Sequence, residues 1–245
     1  MDRILVWDFP TRLFHWLLAG TFTASLGIGL FVSDKNPLFA VHALLGLAIG
    51  PMVLFRIAWG FWGSKYARFS SFLFSPLELY NYIRDALGGK TNRYTGHNPG
   101  SGYAFFVMLF LLVGLVATGL LCRWEFFEEV HVFFAYVMLV VVSAHLAGVI
   151  VHTAKHKENI SFSMVSGYKD GEPSKGIPTA RPLAGVVFLV LTCYWTAGIF
   201  SNLDQQTRQT TLPFIGTTIQ LVEAEDKIKE HRGGKHGHHK EEDDD

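Results

Sequence analysis

Five stretches of the sequence, about 13–32, 39–61, 103–122, 130–152 and 182–200, are apolar and long enough to span a bilayer, since about 30 Å of hydrocarbon takes roughly 20 helical residues. The pattern predicts an all-α integral membrane protein in which everything else is loop or tail. The third and fifth stretches are nearly uninterrupted Leu, Val, Phe, Ala and Gly, whereas the first, second and fourth each carry histidine. Arg3 and Arg12 ahead of the first stretch imitate a signal peptide. About 20 apolar residues without a small-x-small cleavage site read instead as a retained helix.

Composition agrees with this pattern, because 49% hydrophobic and 17% charged residues are too apolar a mixture for an ordinary soluble domain of 245 residues. Net charge is zero and carries no information about nucleic acid or other partners; only its distribution does. Lys and Arg stay on the cytoplasmic side of a membrane. Two precede the first span (Arg3, Arg12), five follow the second (Lys65, Arg68, Arg84, Lys90, Arg93) and five follow the fourth (Lys155, Lys157, Lys169, Lys175, Arg181). The alternate connections hold one each, Lys35 and Arg123, the latter beside Glu125, Glu128 and Glu129. This bias predicts a cytoplasmic N-terminus and, after five crossings, an external tail beyond about Ser201. The run HRGGKHGHHKEEDDD that ends the tail cannot bury a core and reads as a mobile solvated terminus, as a metal-binding stretch using His231, His236, His238 and His239, or as an appended tag.

Histidines inside spans are costly and need a partner. His15 falls at the inner end of the first helix and His42 at the outer end of the second. His131 starts the fourth at its outer end, and His145 follows 14 residues later. Fourteen residues make about 21 Å of rise and just under four turns, so His131 and His145 share a face at opposite depths. Depth alone then pairs His15 with His145 near the cytoplasm and His42 with His131 near the outer surface. Two facing imidazoles at each depth are the donor set for low-spin haem with no open position, suited to electron transfer. One metal site built from all four is excluded by the separation of the two depths. Arg12, one turn before His15, and Arg56, 14 residues after His42 and so at the inner depth, are candidate partners for haem propionates; snorkelling to the interface is the other reading of Arg56. His97, His152 and His156 read as interfacial.

Gly20, Gly27, Gly29, Gly46, Gly50, Gly114 and Gly119 allow close approach either of backbones or of a flat macrocycle. Trp7, Trp16, Trp59 and Trp62 read as interface anchors. Cys122 and Cys193 form no C-x-x-C-H, so covalent haem attachment is not indicated. There is no G-x-S-x-G, G-x-x-x-x-G-K-[ST], H-E-x-x-H or C-x-x-C, which leaves hydrolase, nucleotide-binding and iron–sulfur readings without support.

The opening VWDFPTRLFHW, the VHALLG of the second helix, RIAWGFWG followed by YARFSSF, the loop GHNPGSG and the H-x13-H of the fourth helix together resemble the bacterial cytochrome b561 family, which includes the cytochrome b subunits of nickel–iron hydrogenase and formate dehydrogenase. The resemblance covers about residues 3–170 and leaves the fifth helix and His-rich tail outside the family core. It implies that His15, His42, His131 and His145 ligate two b haems with the pairing above, and that quinone is exchanged at the cytoplasmic side beside His145, with Asn98 and Gly100 as quinone-site candidates. The expected organisation is a four-helix di-haem domain (1–175), a fifth transmembrane helix (176–202) and an extracytoplasmic tail (203–245). The expected role is an electron-transfer subunit of the bacterial inner membrane, between quinone and a periplasmic hydrogenase, dehydrogenase or c-type cytochrome. A free-standing oxidoreductase passing electrons from superoxide to quinone, and a non-redox membrane anchor, are the alternatives. Neither internal repeats nor a broken helix point to a transporter.

Overall fold

A computed structural model describes residues 2–90, 93–156 and 159–221 of the chain. The His-rich run with His231, His236, His238 and His239 lies outside the described residues. Among the described residues, five helices are long and apolar enough to cross a bilayer: α1 (Phe9–Phe31), α2 (Phe39–Trp62), α4 (Pro99–Leu120), α5 (Glu125–His156) and α7 (Pro182–Ser201). Two shorter helices, α3 (Pro76–Leu87) and α6 (Ile160–Ser166), lie between them.

The ends of the long helices follow from local chemistry. Asp8 caps α1, its carboxylate accepting from Thr11 N at 2.8 Å with a proline in the first turn. Asn98 caps α4 in a reciprocal box with Ser101. The fourth span begins at Glu125, not near 130, because Glu125 and Glu128 stand in the first turn, where acidic side chains complement the helix dipole. His131 is therefore one and a half turns inside α5 rather than at its start.

Pro51 sits within α2 without breaking it. Proline has no N–H for the carbonyl four residues earlier, and that carbonyl, Leu47 O, accepts instead from Trp195 Nε1 of α7 at 3.1 Å. The orphan left by Pro51 thus becomes a docking point for the fifth span.

α2 is the inner helix of the group. It packs on α1, α4 and α7, through Phe14, Met52 and Phe188 on one side and Ile49, Val53, Leu111, Leu112 and Met138 on the other. α5 runs antiparallel along α4 and makes no comparably close backbone approach to α1 or α2.

The connections are more structured than loops. β1 (Asp2–Leu5) pairs antiparallel with β2 (Tyr168–Gly171), Asp2 opposite Gly171 and Leu5 opposite Tyr168. Ile4, Val6 and Trp7 then join Tyr66 and Ile177 in a buried cluster at the N-terminal end of the bundle. At the opposite end β3 (Gln209–Thr211) and β4 (Thr218–Gln220) form a hairpin, and Leu203, Leu212 and Leu221 fold against Leu44, Ala48 and Ile199. Runs of three or four paired residues are too short to register as strands in an apolar pattern, which is why the sequence showed them as loop and tail.

Candidate functional site

His42 on α2 and His131 on α5 face one another with ring centres 6.1 Å apart and planes at 83°. A metal lies about 2 Å from each imidazole nitrogen it binds, so two rings sharing one ion in line have centres roughly 6 Å apart. Each ring is held by its other nitrogen. His42 Nδ1 donates to Ser25 O at 2.8 Å, with Ser25 Oγ 3.1 Å away. His131 Nδ1 lies 3.1 Å from Thr118 Oγ1, whose own hydrogen is directed to Gly114 O at 2.7 Å, so the hydroxyl accepts from the ring. Both networks place the proton on Nδ1 and leave Nε2 bare, the tautomer that a metal-ligating histidine needs.

Small residues make room for these rings. A Cβ at Gly29 would lie 3.0 Å from His42 Cε1, and one at Gly119 3.3 Å from His131 Cε1. Gly50 and Gly114 serve helix packing, against Val116 and Phe134. Apart from their own helix backbones, no atom lies within 4 Å of where a Cβ would sit at Gly20, Gly27 or Gly46, so these three border open space, Gly20 at the exposed surface.

At the other end of the bundle His15 of α1 and His145 of α5 are near enough to interact electrostatically. His15 Nδ1 is buried and has no hydrogen-bond partner among the described residues. His42 and His131 are thus in ring contact, and His15 and His145 lie within electrostatic range of one another, the same pairing that depth gives.

The arginines are placed less simply. Arg12 donates through Nη1 to Val165 O of α6, while its buried Nε has no partner. Arg56 is 2% exposed, with its guanidinium carbon 4.5, 5.4 and 5.8 Å from the ring centres of Phe105, Phe72 and Phe69. It is buried, not snorkelled to the surface, and its Nη1 is unpartnered. Cation–π contact offsets part of the cost of that burial but satisfies no N–H.

Asn98 and Gly100 lie in the turn that starts α4. Asn98 Oδ1 accepts from Ser101 N at 2.8 Å, and a Cβ at Gly100 would come 2.8 Å from Tyr82 Cε1 of α3. α4 has 22 residues and the twenty-second residue of α5 is Leu146, so this turn lies level with His145.

Three polar residues that the sequence reading left without this role build the floor of the same end. Asp8, 1% exposed, accepts from Trp59 Nε1 at 3.1 Å and Ser64 N at 3.4 Å besides Thr11 N. Trp7 donates to Ser163 Oγ at 3.0 Å. Trp7 and Trp59 are thus internal hydrogen-bonding residues, while Trp16 and Trp62 have the exposure of interface anchors. His97 is held by its neighbours: Nε2 donates to Tyr66 O at 2.9 Å, and its ring stacks on Phe72 at 3.8 Å and tilts against Trp7 at 5.0 Å. Burial pushes its pKa down to about 4. Asp followed by Phe-Pro at a helix start signals a cap. Nothing in the local sequence signals that the same carboxylate reaches Trp59, 51 residues away.

Comparison with known proteins follows the same lines. The chain is 22% identical over 221 residues to a protein of Rhizobium leguminosarum bv. viciae described as a probable Ni/Fe-hydrogenase B-type cytochrome subunit, covering 70% of this chain and 92% of the relative. No solved structure matches. Residues 6–167, a stretch that contains all four facing histidines, match the family described as prokaryotic cytochrome b561, and the chain belongs to that family.

Proposed function

We propose that the chain holds two b haems, one at each histidine pair, and conducts electrons across the inner membrane between quinone at the cytoplasmic end and a hydrogenase-type redox protein at the periplasmic end. The observation that carries this reading is the His42–His131 geometry, two Nε2 atoms freed by Nδ1 hydrogen bonds on rings 6.1 Å apart. His15 and His145 repeat the pairing about 21 Å away along the helices. Bound haem b supplies reversible one-electron transfer.

The chain's own residues position and insulate. Ser25 and Thr118 fix the two outer rings; the unpartnered Arg12 Nε and Arg56 Nη1 are the cations available to propionates at the inner end. At the α4 turn the cap consumes Asn98 Oδ1, and its amide nitrogen is the donor toward a quinone carbonyl, with Gly100 keeping the turn thin. The excess of Lys and Arg on the N-terminal side supports the orientation. The hydrogenase named for the Rhizobium relative supports the partner.

The test is a reduced-minus-oxidised spectrum with pyridine-haemochrome quantitation on the detergent-purified chain. Two b-type haems per polypeptide are expected, and none would end the proposal. An Asn98→Asp chain keeps the cap but lacks the amide donor. It should keep both haems and be reduced by a quinol analogue at least tenfold more slowly; an unchanged rate would remove Asn98 from the quinone site.

A further inference from the structure

The α3 helix is amphipathic the wrong way round for a helix in water. Leu77, Tyr80 and Leu87 are 66%, 62% and 85% exposed, and Ile83 and Arg84 complete their face. The residues turned toward the protein are Leu79, Asn81, Tyr82, Asp85 and Ala86. With Glu78, three of these, Asn81, Tyr82 and Asp85, line a cavity of about 160 Å³ together with Phe74, Lys90, Tyr94 and Pro99. A surface helix of a soluble protein buries its apolar stripe and exposes its polar one. Here the apolar stripe faces out, at the spacings of three and four residues that define one side of a helix.

The position of α3 explains the inversion. Tyr82 packs on Gly100 in the first turn of α4, and Ala86 O accepts from Lys155 Nζ near the last residue of α5 at 3.2 Å. α3 therefore lies across the ends of two membrane-spanning helices, at the depth where hydrocarbon gives way to headgroups. A capping box from Ser75 and Glu78 starts it, so this helix is locally specified and not an accident of packing. The exposed stripe lies beside the first turn of α4 and the last turn of α5, and Arg84 and Lys90 sit toward its C-terminal end, where headgroups carry negative charge.

From this geometry we infer that α3 is an in-plane membrane helix. It lies in the leaflet at the N-terminal end of the bundle, with Leu77, Tyr80, Ile83 and Leu87 among the acyl chains and the polar face roofing the α4 turn. Its occupant is lipid, not a protein partner, because α3 lies against the ends of two helices long and apolar enough to cross the bilayer, which puts its stripe at the edge of the hydrocarbon. This inference is independent of whether quinone binds at Asn98.

The experiment places single cysteines for spin labelling at Leu77, Tyr80, Leu87 and Glu78 in a full-length chain with Cys122 and Cys193 replaced, reconstituted in phosphatidylethanolamine–phosphatidylglycerol vesicles. Relaxation by oxygen, which partitions into lipid, is compared with relaxation by a water-soluble nickel chelate. Val140, an exposed residue on α5, serves as lipid reference and Lys35 as water reference. Labels at 77, 80 and 87 should favour oxygen at least fivefold over the label at Lys35, and the label at Glu78 should not. Equal chelate access at 77, 80, 87 and Lys35 would overturn the inference and leave the stripe to a soluble partner. An unchanged haem spectrum in each labelled chain shows that the fold is retained, and concordance among the three stripe positions guards against one misfolded variant.

Discussion

The two ends of this bundle hold their histidines by opposite strategies. At the His42–His131 end, the outer end in the proposed orientation, the supports are near neighbours in sequence and short in reach: Ser25 for His42 and Thr118 for His131, each a backbone or hydroxyl oxygen on the adjoining helix. At the His15–His145 end, the inner end in that proposal, His15 Nδ1 has no such partner, and the surrounding structure is a network of residues drawn from five parts of the chain, Trp7 and Asp8, Arg56 and Trp59, Phe72, His97, and Ser163. The His42–His131 pair is held through the rings' own hydrogen bonds. The His15 end is ordered through the protein around the ring, where Arg12 Nε and the buried Arg56 Nη1 have no hydrogen-bond partner among the described residues.

The largest effects should separate the two ends. His131→Ala is expected to halve the haem content, removing the outer centre while the inner one keeps its spectrum, and His145→Ala the reverse; loss of both centres in either chain would show that the ends are not independent. Next is Asp8→Ala, which strips the acceptor from Trp59 Nε1, Ser64 N and Thr11 N at once. It should cost about 3 kcal/mol or more, read as a lowered thermal midpoint in detergent, with the inner centre lost before the outer. If the outer centre fails first, the division drawn here is wrong.

Thr118→Val keeps the shape of the outer pocket but removes the acceptor for His131 Nδ1. Partners of this kind tune metal affinity by about 10–100-fold, so haem titration of the apoprotein should show a weakened outer site and an unaltered inner one. The smallest effect concerns His97. Its imidazole stays neutral in the folded protein down to about 4, while in the unfolded chain it takes up a proton near 6.5. Above 6.5 both states are neutral and stability does not depend on this group. As pH falls from 6.5 toward 4 the unfolded state binds a proton that the folded state refuses, so stability declines, by about 1 kcal/mol at pH 5.5. His97→Gln should flatten this part of the pH profile of the thermal midpoint.

The same contrast decides what could be read before the structure was known. Spans announce themselves by length and apolarity, and the four histidines by depth, because a helix converts sequence spacing into distance along the membrane normal. His131 and His145 are legible in that way. Depth says nothing about direction around a helix axis or about partners across it. That Arg56 faces three phenylalanines, that Asp8 joins Trp59, and that His97 stacks on Phe72 all depend on which way helices and connections turn toward one another. α3 was missed for another reason: its stripe is too short to cross a bilayer, and it was counted only for its cations.

The pairing of Asp2–Leu5 with Tyr168–Gly171 has a consequence for how the chain enters the membrane. Both strands must emerge on the same face, so the stretch between them has to cross an even number of times, and α1, α2, α4 and α5 make four. A chain that failed to insert one of these helices would present its two strands to opposite compartments, where they could never meet. The little sheet therefore works as a parity check on insertion: only an arrangement with an even number of crossings can close it and seal Ile4, Val6 and Trp7 beneath Ile177.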